Sequence, residues 1–148
     1  GNPQYPAGMR LSLIGLLAVF GTCDKKVVST PDAPAAIGPY SQGIIANKML
    51  FVAGQIGLDP KSGTIVPGGV VPQTDRALQN IEAILKAGGA TTDNVVTCNV
   101  YLQNLTDYSS VNKVYAEYFV NEPPARAAFQ VTALPKDALV EIQCQAAL

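Results

Sequence analysis

Arg126 and Glu141 are the residues of this chain best suited to chemistry, and they stand fifteen positions apart. Arg126 sits in Pro124-Ala125-Arg126-Ala127-Ala128-Phe129 and Glu141 in Val140-Glu141-Ile142, with Leu134-Pro135-Lys136 as a turn between them. A guanidinium is a permanent cation whose planar fork matches a carboxylate, and a carboxylate can hold a water or pass a proton. Both residues are embedded in apolar, β-prone sequence, where positions of like parity share one face of a strand. Arg126 groups with Ala128, Gln130 and Thr132, and Glu141 with Leu139, Gln143 and Gln145. The expected unit is a β-hairpin with one apolar face and one face carrying a fixed cation and a fixed carboxylate. A charge in that setting needs a partner, a ligand or water. The pattern alone leaves two readings open: a solvated face or Arg–Glu salt bridge, and a ligand site.

Composition removes much other chemistry. The 148 residues are 48% hydrophobic and 14% charged, which describes one globular domain with a generous core. Net charge is −1, so no global basic field exists to hold nucleic acid or an anionic membrane. Histidine is absent, and with it the usual metal ligand and the Ser–His and Cys–His nucleophile pairs. Cys23, Cys98 and Cys144 form no CxxC or zinc spacing. Cys98 and Cys144 alternate with apolar neighbours and read most simply as buried core thiols. No metal is expected.

The elements that must position the two charged residues begin after a leader at residues 1–26. There Met9-Arg10 precedes the apolar run Leu11–Phe20 and Gly21-Thr22-Cys23. The run is too short to span a bilayer but is built like a secretory signal, so signal, genuine extension and expression remnant all stay open. From Val27 onward strand and helix patterns alternate. Ser41–Ala46 and Met49–Gln55 form a hairpin across Asn47-Lys48, and Asp59–Gly63 is a turn. Pro72 opens a helix whose Ala77, Leu78, Ile81, Ile84 and Leu85 share one face, and Gly88-Gly89 ends it. Asn94–Gln103 is a strand with Val96, Cys98, Val100 and Leu102 on one side. Thr106 or Asp107 caps a second helix with Tyr108, Val111, Tyr115, Tyr118 and Phe119 as its buried stripe. The fold class is α+β, a mixed sheet with two helices on one face. The other face, carrying Arg126 and Glu141, is expected to be covered by a second copy of the chain.

Four segments in order resemble the Rid/YjgF family of reactive-intermediate deaminases, also labelled endoribonuclease L-PSP or translation inhibitor. They are Ala36-Ile37-Gly38-Pro39-Tyr40-Ser41-Gln42-Gly43, Val52-Ala53-Gly54-Gln55-Ile56, Val111-Asn112, and the Pro-Ala-Arg, Leu-Pro-Lys and Val-Glu-Ile block. The resemblance makes residues 27–148 the family domain and implies a chorismate-mutase-like subunit in a homotrimer, with sites in the clefts between subunits. It implies hydrolysis, without a cofactor, of enamine and imine carboxylic acids such as 2-aminoacrylate to a 2-keto acid and ammonia. Arg126 then holds the substrate carboxylate, Glu141 serves the attacking water and the departing nitrogen, and Tyr40 forms a wall of the cleft. Asn112 contacts the ligand or braces Arg126, and Gly54 and Ala128 offer backbone groups. On pattern alone Tyr40 is equally an aromatic packed after a Gly-Pro turn, and Asn112 an ordinary helix polar residue. Ala53 stands where many deaminating members have serine, and Ala128 where some have cysteine.

Two other classes compete. An endoribonuclease or translation inhibitor would act on RNA with neither histidine nor a basic run, and nucleic acid is not an expected partner. A non-catalytic trimer could bind small carboxylic acids or a protein in the same clefts. No membrane span is expected; the family points to the cytoplasm, and residues 9–23 to secretion or the periplasm if they act as a signal.

Overall fold

Tight turns and one long amphipathic helix organise the sheet of this computed structural model, which describes residues 24–148. Residues 1–23 of the leader lie outside the described residues. Strand β1 (Lys26–Val28) pairs with β2 (Gly43–Ala46), which turns into β3 (Met49–Val52). Asn47 and Lys48 both take positive φ, at 49° and 59°, the left-handed backbone conformation that lets a two-residue turn match the right-handed twist of its strands. Strand β4 (Gln55–Ile56) follows at once and takes over from β3 along the edge of β7.

Helix α1 (Val70–Ala87) buries the stripe expected of it: Ala77, Leu78, Ile81, Ile84 and Leu85. It begins two residues before Pro72, whose missing N–H falls in the first turn, where no intrahelical acceptor exists. At the other end Gly89 takes φ 86°, and Gly89 and Ala90 donate to the carbonyls of Lys86 and Leu85. Strand β5 (Val95–Leu102) is irregular between Val95 and Thr97, which turns Val95 inward and leaves Val96 exposed, against the strict alternation expected. Helix α2 (Tyr108–Tyr118) buries Val111, Val114 and Tyr115 with Phe119 just beyond it. Tyr108, expected in that stripe, is 39% exposed.

The last two strands, β6 (Ala125–Gln130) and β7 (Val140–Ala147), do not form the expected hairpin. The sheet order is β1-β2-β3-β7-β5-β6, so β5 lies between them, parallel to β6 and antiparallel to β7. A helix–strand crossover makes β5–β6 parallel, and β6 then ends at the sheet edge. The register also separates the charges. Arg126 lies opposite Cys98 and Glu141 opposite Tyr101, residues three apart on β5 and so on opposite faces. Arg126 points to the helix side, with Cys98, Val100 and Ala128. Glu141 points to the open side, with Tyr101, Gln143 and Gln145.

That register corrects the reading of the cysteines as well. Cys98 is directly opposite Cys144 with Cα atoms 4.1 Å apart, and the two are joined in a buried disulfide between β5 and β7. The sequence hid the bond because nothing in it announced that these two strands are neighbours.

Candidate functional site

The expected site residues fall into two groups. Around Glu141 the chain forms a cavity of about 390 Å³ lined in part by Tyr40, Ala53, Gly54, Ile56, Leu58 and Gln143. Glu141 is half-buried, and removal from water pushes its pKa above the usual carboxylate range. Gly54 is required here by space: a side-chain carbon at this position would overlap the Glu141 carboxylate oxygen. Tyr40 is half-exposed, and its hydroxyl accepts from the Ile37 backbone N–H at 3.3 Å, closing a tight loop beside the cavity.

Buried amides, not charges, hold this cavity in shape. Gln42 is buried and accepts from the Thr30 N–H at 2.7 Å. Its amide donates to the carbonyls of Thr30, Ala33 and Pro34, fixing the segment that forms one wall. Asn80 on α1 is fully buried and donates to the carbonyls of Ile56 and Leu58 at 3.2 and 2.9 Å. That clamps β4 to the helix, and Ile56 is the register partner of Glu141. Gln73 completes the row by accepting from the Leu139 N–H at 2.8 Å, just before β7. None of the three was singled out from sequence. The available signal was polar amides breaking otherwise apolar faces: Gln73 and Asn80 border the α1 stripe, and Gln42 lies in Tyr-Ser-Gln-Gly.

The second group gathers on the helix side at the sheet edge. A shallow cavity of about 340 Å³ is lined by Asn112, Tyr115, Ala116, Phe119, Pro123, Pro124 and Arg126. Arg126 Nη2 donates to the Tyr108 hydroxyl at 3.0 Å. The guanidinium carbon lies 4.6 Å from the centre of the Tyr115 ring and 5.4 Å from that of Tyr108. The Asn112 amide and then the Arg126 guanidinium hold the Tyr108 phenol below its usual range. Burial pushes Tyr115 up to about 12, with Arg126 opposing. Asn112 Oδ1 and the Tyr115 hydroxyl are buried without a hydrogen-bond partner. Ala128, two residues along β6, packs against the core.

Within one chain the site is therefore in halves: Tyr40, Gly54 and Glu141 in one, Asn112, Arg126 and Ala128 in the other. The two cavities share no lining residue. The simple salt-bridge reading is removed with the hairpin, because the two charges face opposite sides of the sheet. Among the described residues no group of three His, Cys, Asp or Glu side chains is placed to hold a metal ion, and no helix is long and apolar enough to cross a membrane.

A seven-stranded sheet with two helices on one face, a carboxylate in a small open-face cavity and a guanidinium at the far edge define an α+β protein. The sequence profile of the endoribonuclease L-PSP family matches residues 30–148, and the chain belongs to that family. It is 51% identical over 119 residues to a 2-iminobutanoate/2-iminopropanoate deaminase of Capra hircus, covering 80% of this chain and 87% of that protein. A solved protein of unknown function from Yersinia pestis, YyfA of the conserved Rid protein family, is 42% identical with a TM-score of 0.81, covering 84% of this chain and 100% of that one. E. coli TdcF with bound serine superposes with a TM-score of 0.80 at 36% identity, covering 83% of this chain and 98% of the other.

Proposed function

We propose that the protein is a hydrolytic deaminase of reactive imine and enamine carboxylic acids, of the 2-aminoacrylate and 2-iminobutanoate type. The observation that carries this reading is a half-buried carboxylate of raised pKa in a small cavity, in a chain half identical to a named imine deaminase. A carboxylate whose ionised form is poorly solvated is a better base than a free one, and a pKa moved toward the operating pH suits a group that must both take and give a proton. The bound serine of TdcF, a small α-amino acid, supports a ligand with a carboxylate beside a nitrogen-bearing carbon.

In this reading Arg126 grips the substrate carboxylate in a bidentate pair. The enamine tautomerises to the imine. Glu141 takes a proton from water as the water oxygen bonds to the imine carbon, and the proton passes to nitrogen. The tetrahedral carbinolamine then collapses: Glu141 carries the hydroxyl proton to the amino nitrogen, the C–N bond breaks, and ammonia leaves as the carbonyl of the 2-keto acid forms. Tyr40 walls the cleft, Gly54 and Ala128 present backbone, and Asn112 meets the ligand. An imine is already electrophilic, so these groups suffice without a cofactor. Alanine at position 53 leaves this wall without a hydroxyl.

The two halves meet when copies assemble, and the proposed assembly is a homotrimer. Two observations support it. Arg126 and Glu141 face opposite sides of one subunit's sheet, so one chain cannot bring them to one small ligand. The open face also presents apolar residues: Val27, Phe51 and Phe129 are 55%, 42% and 52% exposed. The test is ammonia release from freshly generated 2-aminoacrylate, run beside digestion of RNA. Ammonia and keto acid formed in equal amounts, far faster than in buffer, are expected, with RNA left intact. Hydrolysis no faster than in buffer overturns the reading, and RNA cleavage in its place supports the nuclease class.

A further inference from the structure

The stripe of α2 that faces Arg126 is made of polar-tipped residues where an ordinary packed helix would be apolar. Tyr108, Asn112 and Tyr115 follow at i, i+4 and i+7, one face of a helix. Tyr115 is 6% exposed, yet its hydroxyl has no partner, and Asn112 Oδ1 is also buried and unpartnered. Phenylalanine and leucine would bury the same area without that desolvation cost. What the stripe does contact is the guanidinium: a hydrogen bond of 3.0 Å from Nη2 to the Tyr108 hydroxyl, and two ring centres at 4.6 and 5.4 Å. Both rings lie against the guanidinium, and the phenol oxygen of Tyr108 holds one donor of Nη2. A guanidinium has five N–H donors, so an in-plane edge stays available to a carboxylate.

We propose that Tyr108 and Tyr115 are positioning residues that clamp the Arg126 fork in its carboxylate-binding orientation before the ligand arrives. An arginine on an edge strand otherwise carries rotamer entropy that binding must overcome. The clamp removes part of that cost in advance. Tyr108 fixes the rotation of the fork and Tyr115 its tilt, and their ligand is the carboxylate of the proposed imine substrate, so the clamp rests on that reading of Arg126. Tyr115 lines the same cavity with its ring, while its hydroxyl is buried without a partner.

Tyr108→Phe tests the clamp because it keeps the ring and removes only the acceptor, at an exposed position where folding is not at risk. Tyr115→Phe is the matched control: it removes a hydroxyl that touches no partner and keeps the ring against the guanidinium, so fork rotation should stay as in wild type. Three readouts are taken on wild type and both variants: kcat and KM for imine hydrolysis, calorimetric binding of 2-oxobutanoate, and ¹⁵N exchange of the Arg126 guanidinium, with Arg10 and Arg76 as internal references. Tyr108→Phe is expected to raise KM and the 2-oxobutanoate Kd by about 3- to 10-fold, with a smaller change in kcat and no loss of melting temperature. Rotation of the Arg126 fork, restricted in wild type, becomes faster. Wild-type KM, Kd and fork rotation in Tyr108→Phe overturn the proposal, as does a loss that merely follows melting temperature. If wild type hydrolyses no imine, the substrate reading fails alone. Fork rotation then decides the clamp: faster exchange in Tyr108→Phe supports it, and unchanged exchange in that variant contradicts it.

Discussion

Glu141 shows how a single position can be read in both stability and chemistry. Its folded pKa is raised by burial from the ordinary 4.5, so the fold disfavours the ionised form. A raised acid pKa stabilises the fold below the ordinary value, and that stability is lost as pH rises through the folded value. Glu141→Gln carries no charge at any pH. It is therefore expected to melt above wild type at pH 7 to 8 and level with it near pH 3, while turnover falls by about 10²-fold or more. Thermal melts across pH, paired with imine hydrolysis, check both signs; a variant that melts lower at neutral pH contradicts the burial argument. Wild-type activity should show an acid limb above the usual carboxylate range. Gly54 belongs to the same account. Gly54→Ala forces the Glu141 carboxylate off its seat, so kcat should fall by about 10-fold or more while the protein still folds. Undiminished kcat in that variant would show that Glu141 works from another orientation.

The elements show which parts of the fold were legible. The β2–β3 hairpin and the α1 stripe rest on local signals, Asn47-Lys48 and apolar spacing of 3.6, and both formed as expected. Strand β1 escaped notice because three residues are too few to carry a period. The β6–β7 pairing failed for a different reason: a Leu-Pro-Lys turn signals a chain reversal but not which strand lies alongside. With β5 inserted between them, parity within each strand stayed right while their relative faces came out wrong. The candidate site residues came from the family resemblance, and the placement of Arg126 and Glu141 on opposite faces of one sheet was not legible in the strand pattern. Two consequences belong to this scale. Asn80→Ala leaves the carbonyls of Ile56 and Leu58 buried and unmet, so stability should fall by about 1–3 kcal/mol in denaturant melts. A loss under half a kilocalorie would mean that the amide clamp is dispensable. The Cys98–Cys144 bond closes a loop between positions 46 residues apart, and its reduction should cost about 2–4 kcal/mol. Melts with and without reductant test this against a Cys98→Ala, Cys144→Ala control that should not respond to reductant.

At the scale of the whole molecule, one sheet has to serve two neighbours. Its helix face is closed by α1 and α2, and its open face, which holds the Glu141 cavity, also exposes Val27, Phe51 and Phe129. In the proposed assembly those side chains would be buried between copies, and one copy's Arg126 would approach another's Glu141. The central claim is thus a deaminase site assembled from two subunits. Subunit mixing tests it most directly. Arg126→Ala and Glu141→Gln are prepared separately, each nearly inactive, then unfolded together under reducing conditions and refolded with reoxidation. If each site takes Arg126 from one copy and Glu141 from another, random assembly restores both native residues in roughly one quarter of sites, half times half. The account predicts imine hydrolysis recovering to about that fraction of wild type in the mixture. A refolded mixture that forms mixed oligomers yet stays as inactive as its parents would contradict it.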